Sequence, residues 1–260
     1  VLRKEPQGDA PQSVNARRHW PQLAVVLGLA AILVLGATLR FTGLDWDDGQ
    51  HLHPDERFLT MVENALTWPS SLSEYLDTSV NPLNPYNRGQ GSYVYGLLPL
   101  VLAKSLGQLT GYTGYSGVYL AGRAMSGVLD LMAVLVVFAL GKRLYDERVG
   151  LLGALLLSLS VLNIQQSHYF TVDSTTTFLV TLALYFAVRV AQGEGRWSIA
   201  GLGVSFGLAL ASKVSIATFG LVIGLALLVR VFTRRQNLPT DVSQHKARSS
   251  GSPAEGAERT

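Results

Sequence analysis

The sequence predicts an all-α protein that crosses a membrane several times as a helical bundle. Hydrophobic residues make up 48% of the 260 residues and charged residues only 15%, whereas soluble domains carry about a quarter charged residues. The apolar residues also gather in successive runs of the length that crosses a bilayer, roughly 20 residues each. One such run is compatible with a buried core helix, but five or six in succession indicate a polytopic membrane protein.

The composition also narrows the possible functions. The formal net charge is +3 and the chain has no cysteine, so it has neither a disulfide framework nor a thiolate metal site. The basic residues stand in short clusters beside the apolar runs, as membrane topology requires. We therefore expect membrane lipid around the chain and no nucleic-acid partner.

The apolar runs divide the chain into a membrane module and two polar ends. Residues 1–20 form a basic arm, the module covers 21–233, and residues 234–260 form a polar tail that we expect to be disordered. The first loop, 42–116, is rich in Asp, Pro and Asn and shows a helical pattern near 55–67. The six predicted spans are 21–41, 117–141, 149–164, 173–191, 198–212 and 214–232.

One further apolar segment, 92–106, decides the predicted topology. It is short, contains Pro99 and Lys104 and is flanked by tyrosines, a pattern typical of a helix at the membrane interface. If it spanned the bilayer, the basic cluster at 142–148 would lie outside, against the positive-inside rule. We therefore predict six spans in the cell membrane, with both termini cytoplasmic and the first loop extracytoplasmic with juxtamembrane helices. The alternative is seven spans.

The first candidate residues lie in the outer-loop sequence HLHPDERF, which begins at His51. Asp55 and Glu56 stand at the start of the predicted helix, where the helix dipole stabilises acids. A carboxylate in this position is also suited to taking a proton from a hydroxyl or to holding a cation. His51 and His53 add imidazoles, which together with carboxylates suit several divalent metal ions. Both the capping and the functional interpretations stay open at this stage.

Four further polar residues lie in or beside the predicted spans. Asp173 opens a span next to a run of hydroxyl residues, which suits either helix capping or a site on the face of Asp55. Arg123 and Asp130 are seven residues apart on one span, and ions within a membrane usually face a partner or a polar cavity. Arg123 is near the outer end, where it can meet a phosphate, whereas Asp130 is deeper and suited to pairing with another helix. Lys213 either snorkels to the interface or binds an anionic headgroup.

The order of these segments resembles the N-terminal module of polyprenyl-phosphate-sugar-dependent glycosyltransferases with the C-type membrane fold. The nearest resemblance is to protein O-mannosyltransferases and aminoarabinose-type lipid A transferases. The resemblance rests on HPDE in the outer loop and on the segments 93–107, 123–160, 167–179 and 207–215. It covers about residues 20–233 and depends on the order and spacing of these segments. Members of that family usually continue with further spans.

The resemblance implies an enzyme that transfers a sugar such as mannose from a polyprenyl-phosphate donor. The acceptor would be a hydroxyl of a protein, lipid or glycan at the outer face, and the anomeric carbon would be inverted. Asp55 matches the outer-loop Asp that acts in the family as catalytic base or orients the acceptor, and Glu56 lies beside it.

The remaining matched positions concern the donor. Arg123 and Lys213 match basic residues expected to bind the donor phosphate, and His168 stands where the mannosyltransferases have an arginine. Asp173 matches the acid that closes the later outer loop. Together with His53 it is the expected place for electrostatic support or for a divalent metal ion.

Two other functions fit parts of the sequence. A transporter or flippase for a lipid-linked or anionic solute would use Arg123, Asp130 and Lys213 as a pathway through the bundle. Transporters, however, often contain inverted repeats and place polar groups along several spans, whereas here the polar groups concentrate at one face. A catalytically inactive, truncated homologue is the other alternative.

Overall fold

The computed structural model describes residues 21–236, with side chains as far as residue 233, and this part of the chain contains helices and loops but no strand. The α-helices are α1 (Gln22–Phe41), α2 (Pro54–Ala65), α3 (Leu72–Leu76), α4 (Leu98–Thr110), α5 (Val118–Leu144), α6 (Glu147–Ser158), α7 (Val161–Ser167), α8 (Val172–Ala191), α9 (Arg196–Leu210) and α10 (Gly220–Gln236). Two short 3-10 helices cover Pro85–Arg88 and Val214–Phe219.

The helices confirm a polytopic membrane bundle. Four segments are long and apolar enough to cross a membrane, namely Gln22–Phe41, Val118–Leu144, Val172–Ala191 and Val214–Thr233. Helices α6 and α7 form a pair bent by 58°, which makes a fifth crossing if the pair is one span. The sixth predicted span corresponds to α9, whose 15 residues extend only about 22 Å. The count of six spans therefore stays a prediction.

A buried ion pair supports the bend between α6 and α7. Arg40, at the end of α1, lies 2.6 Å from the Asp130 carboxylate of α5, which confirms that Asp130 pairs with another helix. The same guanidinium donates to the backbone oxygens of Ser158 and Leu157 at 2.9 and 3.3 Å. Asn163 of α7 donates to the other oxygen of Asp130 at 2.8 Å. Because a broken helix in a membrane must have its freed carbonyl groups hydrogen-bonded, this pair stabilises the bend.

Three loops meet at one end of the bundle. The N–H of Phe170, between α7 and α8, donates to the Glu56 carboxylate of α2 at 2.7 Å. The N–H of Gly96, just before α4, donates to the backbone oxygen of Ser212 in the turn after α9 at 2.9 Å. A shared end of this kind is expected from the six-span topology, which stays a prediction.

The opposite end gathers the basic clusters. Arg143 of α5, Arg189 of α8 and Ser198 of α9 all hydrogen-bond the carboxylate of Glu194, and Arg230 of α10 donates to its backbone oxygen. Hydrogen bonds from Arg189, Ser198 and Arg143 lower the pKa of Glu194 to about 2. If this end is the cytoplasmic one, as predicted, its arginines satisfy the positive-inside rule.

Element boundaries differ modestly from the sequence predictions. The predicted helix near 55–67 is α2, and its first turn contains both Asp55 and Glu56, as expected. The interfacial segment predicted at 92–106 corresponds to α4. This helix starts later than predicted, because residues 93–97 are not helical and contact the turn after α9. The tail predicted from residue 234 begins with the last residues of α10. The arm 1–20 and residues 237–260 lie outside the described residues.

The absence of cysteine allows a direct test of the topology. We expect Val80→Cys, in the first loop, to react with a membrane-impermeant maleimide in intact cells. Tyr145→Cys, in the turn between α5 and α6, should react only after permeabilisation. Both wild-type side chains are exposed, at 55% and 67%, so access to the reagent depends on the side of the membrane. The opposite labelling pattern would invert the orientation.

A second test concerns the contact between α4 and the turn after α9. A Cβ atom at Gly96 would lie 1.9 Å from the backbone oxygen of Ala211, whereas one at Gly91 would meet nothing within 4 Å. We expect Gly96→Ala to destabilise the protein by roughly 1–3 kcal/mol through forced backbone shifts. Thermal unfolding in detergent measures the effect, with Gly91→Ala as the matched control. Equal unfolding temperatures would contradict the close approach.

Candidate functional site

The site is built around the guanidinium group of Arg123, which has no exposed surface. Its Nε and Nη2 atoms donate to the two carboxylate oxygens of Glu56 at 2.8 and 2.5 Å. Nη2 also donates to Asp47 at 2.9 Å and Nη1 to the backbone oxygen of Leu44 at 2.6 Å. Arg123 therefore fastens the first loop to the start of α5.

Glu56 links this cluster to the loop between α7 and α8. Its Oε2 atom accepts both from Arg123 and from the backbone N–H of Phe170. Phe170 is itself fully buried, and its ring lies where a Cβ atom at Gly122 of α5 would be, with the Phe170 Cγ atom 2.2 Å from that position. The glycine thus permits the close approach that brings the two loops together.

These contacts concern two predicted site residues. Arg123 is expected to bind the donor phosphate and Glu56 to share in catalysis, and the structure shows both side chains fully buried and bonded to each other. Both roles stay predictions. In this arrangement the pair supports the first loop from inside the bundle, because a buried charge needs a partner with good geometry.

Asp47 completes the buried cluster. Burial raises the pKa of this carboxyl group, but the backbone N–H of Leu52 and the guanidinium of Arg123 outweigh it, so the pKa of Asp47 is lowered. The carboxylate is accordingly ionised at neutral pH. Two carboxyl groups thus share one guanidinium.

Asp55 has the opposite environment to its neighbour. It lies in the first turn of α2 and is exposed. Within residues 21–236, its carboxylate has no hydrogen-bond or ion-pair partner. Asp55 is therefore free to accept a proton from, or to orient, a bound hydroxyl group.

Lys213 and Asp173 form an accessible ion pair at the same end. The Lys213 ammonium group lies 2.7 Å from the Asp173 carboxylate, and the two side chains are 33% and 43% exposed. Asp173 follows Phe170 by three residues, and Lys213 follows Ser212, which binds the backbone before α4. An ammonium group has three N–H donors, so Lys213 retains donors for an anionic ligand.

His168, which is predicted to bind the donor phosphate, contacts the protein backbone in the structure. Its Nδ1 atom lies 2.8 Å from the backbone oxygen of Ile164, and its Nε2 atom lies 3.0 Å from that of Thr42. Both ring nitrogens thus face protein carbonyl groups. His168 connects the end of α7 with the first loop, and its role at the donor phosphate stays a prediction.

The two histidines of the first loop also pack against protein. The Nδ1 atom of His53 accepts the backbone N–H of Glu56 at 3.3 Å, and its ring stacks on Tyr169 at 4.1 Å. His51 is buried against Tyr115 and Tyr119. Among the described residues, no three His, Asp or Glu side chains converge as they would around a metal ion. A divalent ion at His53 and Asp173 stays a prediction.

The comparison with protein families gives a partial match. Residues 115–242, just under half of the chain, are similar to the family model described as dolichyl-phosphate-mannose-protein mannosyltransferase. The matched residues include Arg123, Asp173 and Lys213, whereas Asp55 and Glu56 precede them. Neither the curated proteins nor the solved structures contain a significant match.

Three residues that organise the site and the helices around it were not predicted from the sequence. Asp47 and Trp46 lie in the stretch LDWDDG, where an aromatic residue among acids in a loop is an available signal. Arg40 ends the first apolar run and was counted only as part of it. A basic residue at the end of one span and an acid within another do not reveal by themselves that they meet.

We expect different changes in stability from replacing the two basic residues of the site. Arg123→Ala should destabilise the protein by roughly 3–5 kcal/mol, because it leaves buried carboxylates without their partner. Lys213→Ala should change stability by less than about 1 kcal/mol, because its ion pair is partly exposed. Thermal unfolding in detergent distinguishes them. A stable Arg123→Ala protein that had lost donor binding would indicate that Arg123 binds the donor phosphate.

Proposed function

We propose that the chain is a membrane glycosyltransferase module that transfers a sugar from a polyprenyl-phosphate donor to a hydroxyl group. The acceptor belongs to a protein, lipid or glycan, and transfer takes place at the outer face of the cell membrane, with both termini cytoplasmic. The family match supports the reaction class. The observation that carries the proposal is the free carboxylate of Asp55 at the same end as the accessible Lys213.

In the proposed reaction, Asp55 acts as the general base. Its carboxylate takes the proton of the acceptor hydroxyl while the hydroxyl oxygen forms a bond to the anomeric carbon of the donor. The bond between that carbon and the phosphate oxygen breaks, and polyprenyl phosphate leaves with the electron pair. Attack from the side opposite the phosphate inverts the configuration of the anomeric carbon.

Lys213 is suited to stabilise the leaving group. The phosphate gains one negative charge as its bond to the sugar breaks, so a nearby ammonium group stabilises the transition state more than the ground state. Asp173 holds Lys213 at 2.7 Å and thereby limits the positions of its remaining donors. Asp173 thus acts through Lys213 as a positioning residue.

The buried cluster fixes the position of Asp55. Glu56, the next residue, is held by both Arg123 and the backbone of Phe170. A base held by a packed support needs little rearrangement to reach the productive geometry. The buried pair therefore contributes to the reaction indirectly, by aligning the first loop with the loop that precedes Asp173.

The transporter alternative finds no support in the geometry. It requires Arg123, Asp130 and Lys213 to line a common pathway. The structure separates them into pairs with Glu56, Arg40 and Asp173, and the first two pairs are buried. Charges that are neutralised inside the bundle do not offer a route for an anionic solute.

Replacement of the base tests the proposal. We expect Asp55→Asn to reduce sugar transfer from dolichyl-phosphate mannose by about 10²–10⁴-fold, the usual contribution of a general base. The measurement is transfer of labelled mannose by the detergent-solubilised chain to an acceptor mixture from membranes. Expression and unfolding temperature should stay unchanged, because Asp55 is exposed.

Asp48→Asn is the matched control for this experiment. Asp48 is an exposed acid of the same loop with a positive φ of 48°, and asparagine tolerates that conformation. It should transfer sugar at the wild-type rate. Undiminished transfer by Asp55→Asn would remove Asp55 from the mechanism, and equal losses in both variants would indicate a general effect of loop charge.

A further inference from the structure

An exposed tryptophan lies in the loop that leads to the proposed base. Trp46 is 43% exposed, although the guanidinium of Arg123 lies over its ring at 5.4 Å from the centroid. An aromatic ring that the protein holds in place while much of it stays exposed can contact a ligand.

Trp46 is part of an aromatic shelf, defined here as Trp46, Tyr169 and His53. The rings of Trp46 and Tyr169 form a T-shaped pair, with centroids 5.9 Å apart and an interplanar angle of 76°. Tyr169 also stacks on the ring of His53, at 4.1 Å. His53 precedes Asp55 by two residues, and Tyr169 precedes Asp173 by four. The shelf thus joins the segment of the base to the segment of the phosphate site.

The polar atom of the indole argues against a purely interfacial role. Tryptophans that anchor a protein at a membrane interface place their N–H towards the wet side and their ring in the apolar layer. Here Nε1 donates to the backbone oxygen of His168 at 3.3 Å. The ring is therefore held by the protein itself, through its N–H and its contacts with Arg123 and Tyr169.

We propose that the exposed surface of Trp46 binds the sugar ring of the donor. This inference rests on the proposed function. For attack opposite the phosphate, the sugar must lie between Asp55, which holds the acceptor, and Lys213, which holds the phosphate, and the shelf joins the two loops that carry these groups. The C–H groups on one face of a pyranose carry partial positive charge, and the face of an aromatic ring carries partial negative charge. Stacking of the two also excludes water from the anomeric carbon.

Binding of two lipids that differ only in the sugar tests this inference. The probes are dolichyl-phosphate mannose and dolichyl phosphate, titrated against the full detergent-solubilised chain carrying Asp55→Asn so that the donor is not consumed. Trp46→Ala should raise the dissociation constant of dolichyl-phosphate mannose about tenfold, the size of one well-placed aromatic contact. The dissociation constant of dolichyl phosphate should change less than about twofold.

Two further variants complete the test. Trp46→Phe keeps an aromatic face and should recover most of the affinity for dolichyl-phosphate mannose. Trp68→Ala is the matched control, because Trp68 is 39% exposed in the same loop and its Nε1 atom also has a protein partner, Gln108, at 2.8 Å. Trp68 does not contact Arg123 in the described structure, so its replacement should leave both affinities unchanged.

The possible failures are distinct. If Trp46→Ala weakened both lipids equally, Trp46 would act on the lipid or the interface, and the inference would be overturned. Unchanged affinities in Trp46→Ala, with both lipids bound by the Asp55→Asn chain, would overturn the inference and leave the proposed function standing. If neither lipid bound to the wild-type or the Asp55→Asn chain, the proposed function would fall, and the sugar site with it.

Discussion

The buried pairing of Arg123 with Glu56 and Asp47 is the constraint on which the rest of the site depends. A buried guanidinium group near the end of a membrane span requires compensating charge, because burial without a partner is strongly unfavourable. The first loop supplies that charge and is thereby drawn onto the bundle. Because Glu56 also accepts the N–H of Phe170, one carboxylate aligns two loops that are far apart in the sequence.

This constraint separates the roles of two adjacent acids. Successive residues of a helix point about 100° apart, so Glu56 faces the bundle while Asp55 faces solvent. The buried acid bonds to the bundle, and the exposed acid is the one proposed as the base. The same logic applies to the two basic residues, since Arg123 is buried with its donors occupied whereas Lys213 is half-exposed and held by a single carboxylate.

A second buried ion pair stabilises the packing of the bundle helices, as the first stabilises the site. Arg40 and Asp130 connect α1 with α5, and the same guanidinium supports the backbone where α6 and α7 bend. The bend in turn directs the end of α7 towards the first loop, where His168 and Tyr169 contact Thr42 and Trp46. The aromatic shelf beside Asp55 therefore depends on both ion pairs.

The sequence by itself determined the helical membrane architecture, the first turn of α2 and the end of the bundle at which the polar loops meet. These follow from local properties, namely the length of apolar runs and the distribution of basic residues. Only the tertiary structure decided which charges are available. Arg123 and Glu56 are 67 residues apart, and no local pattern shows that they neutralise each other. The same holds for Trp46 and for His168, because the partner that a polar or aromatic side chain meets depends on contacts between distant segments.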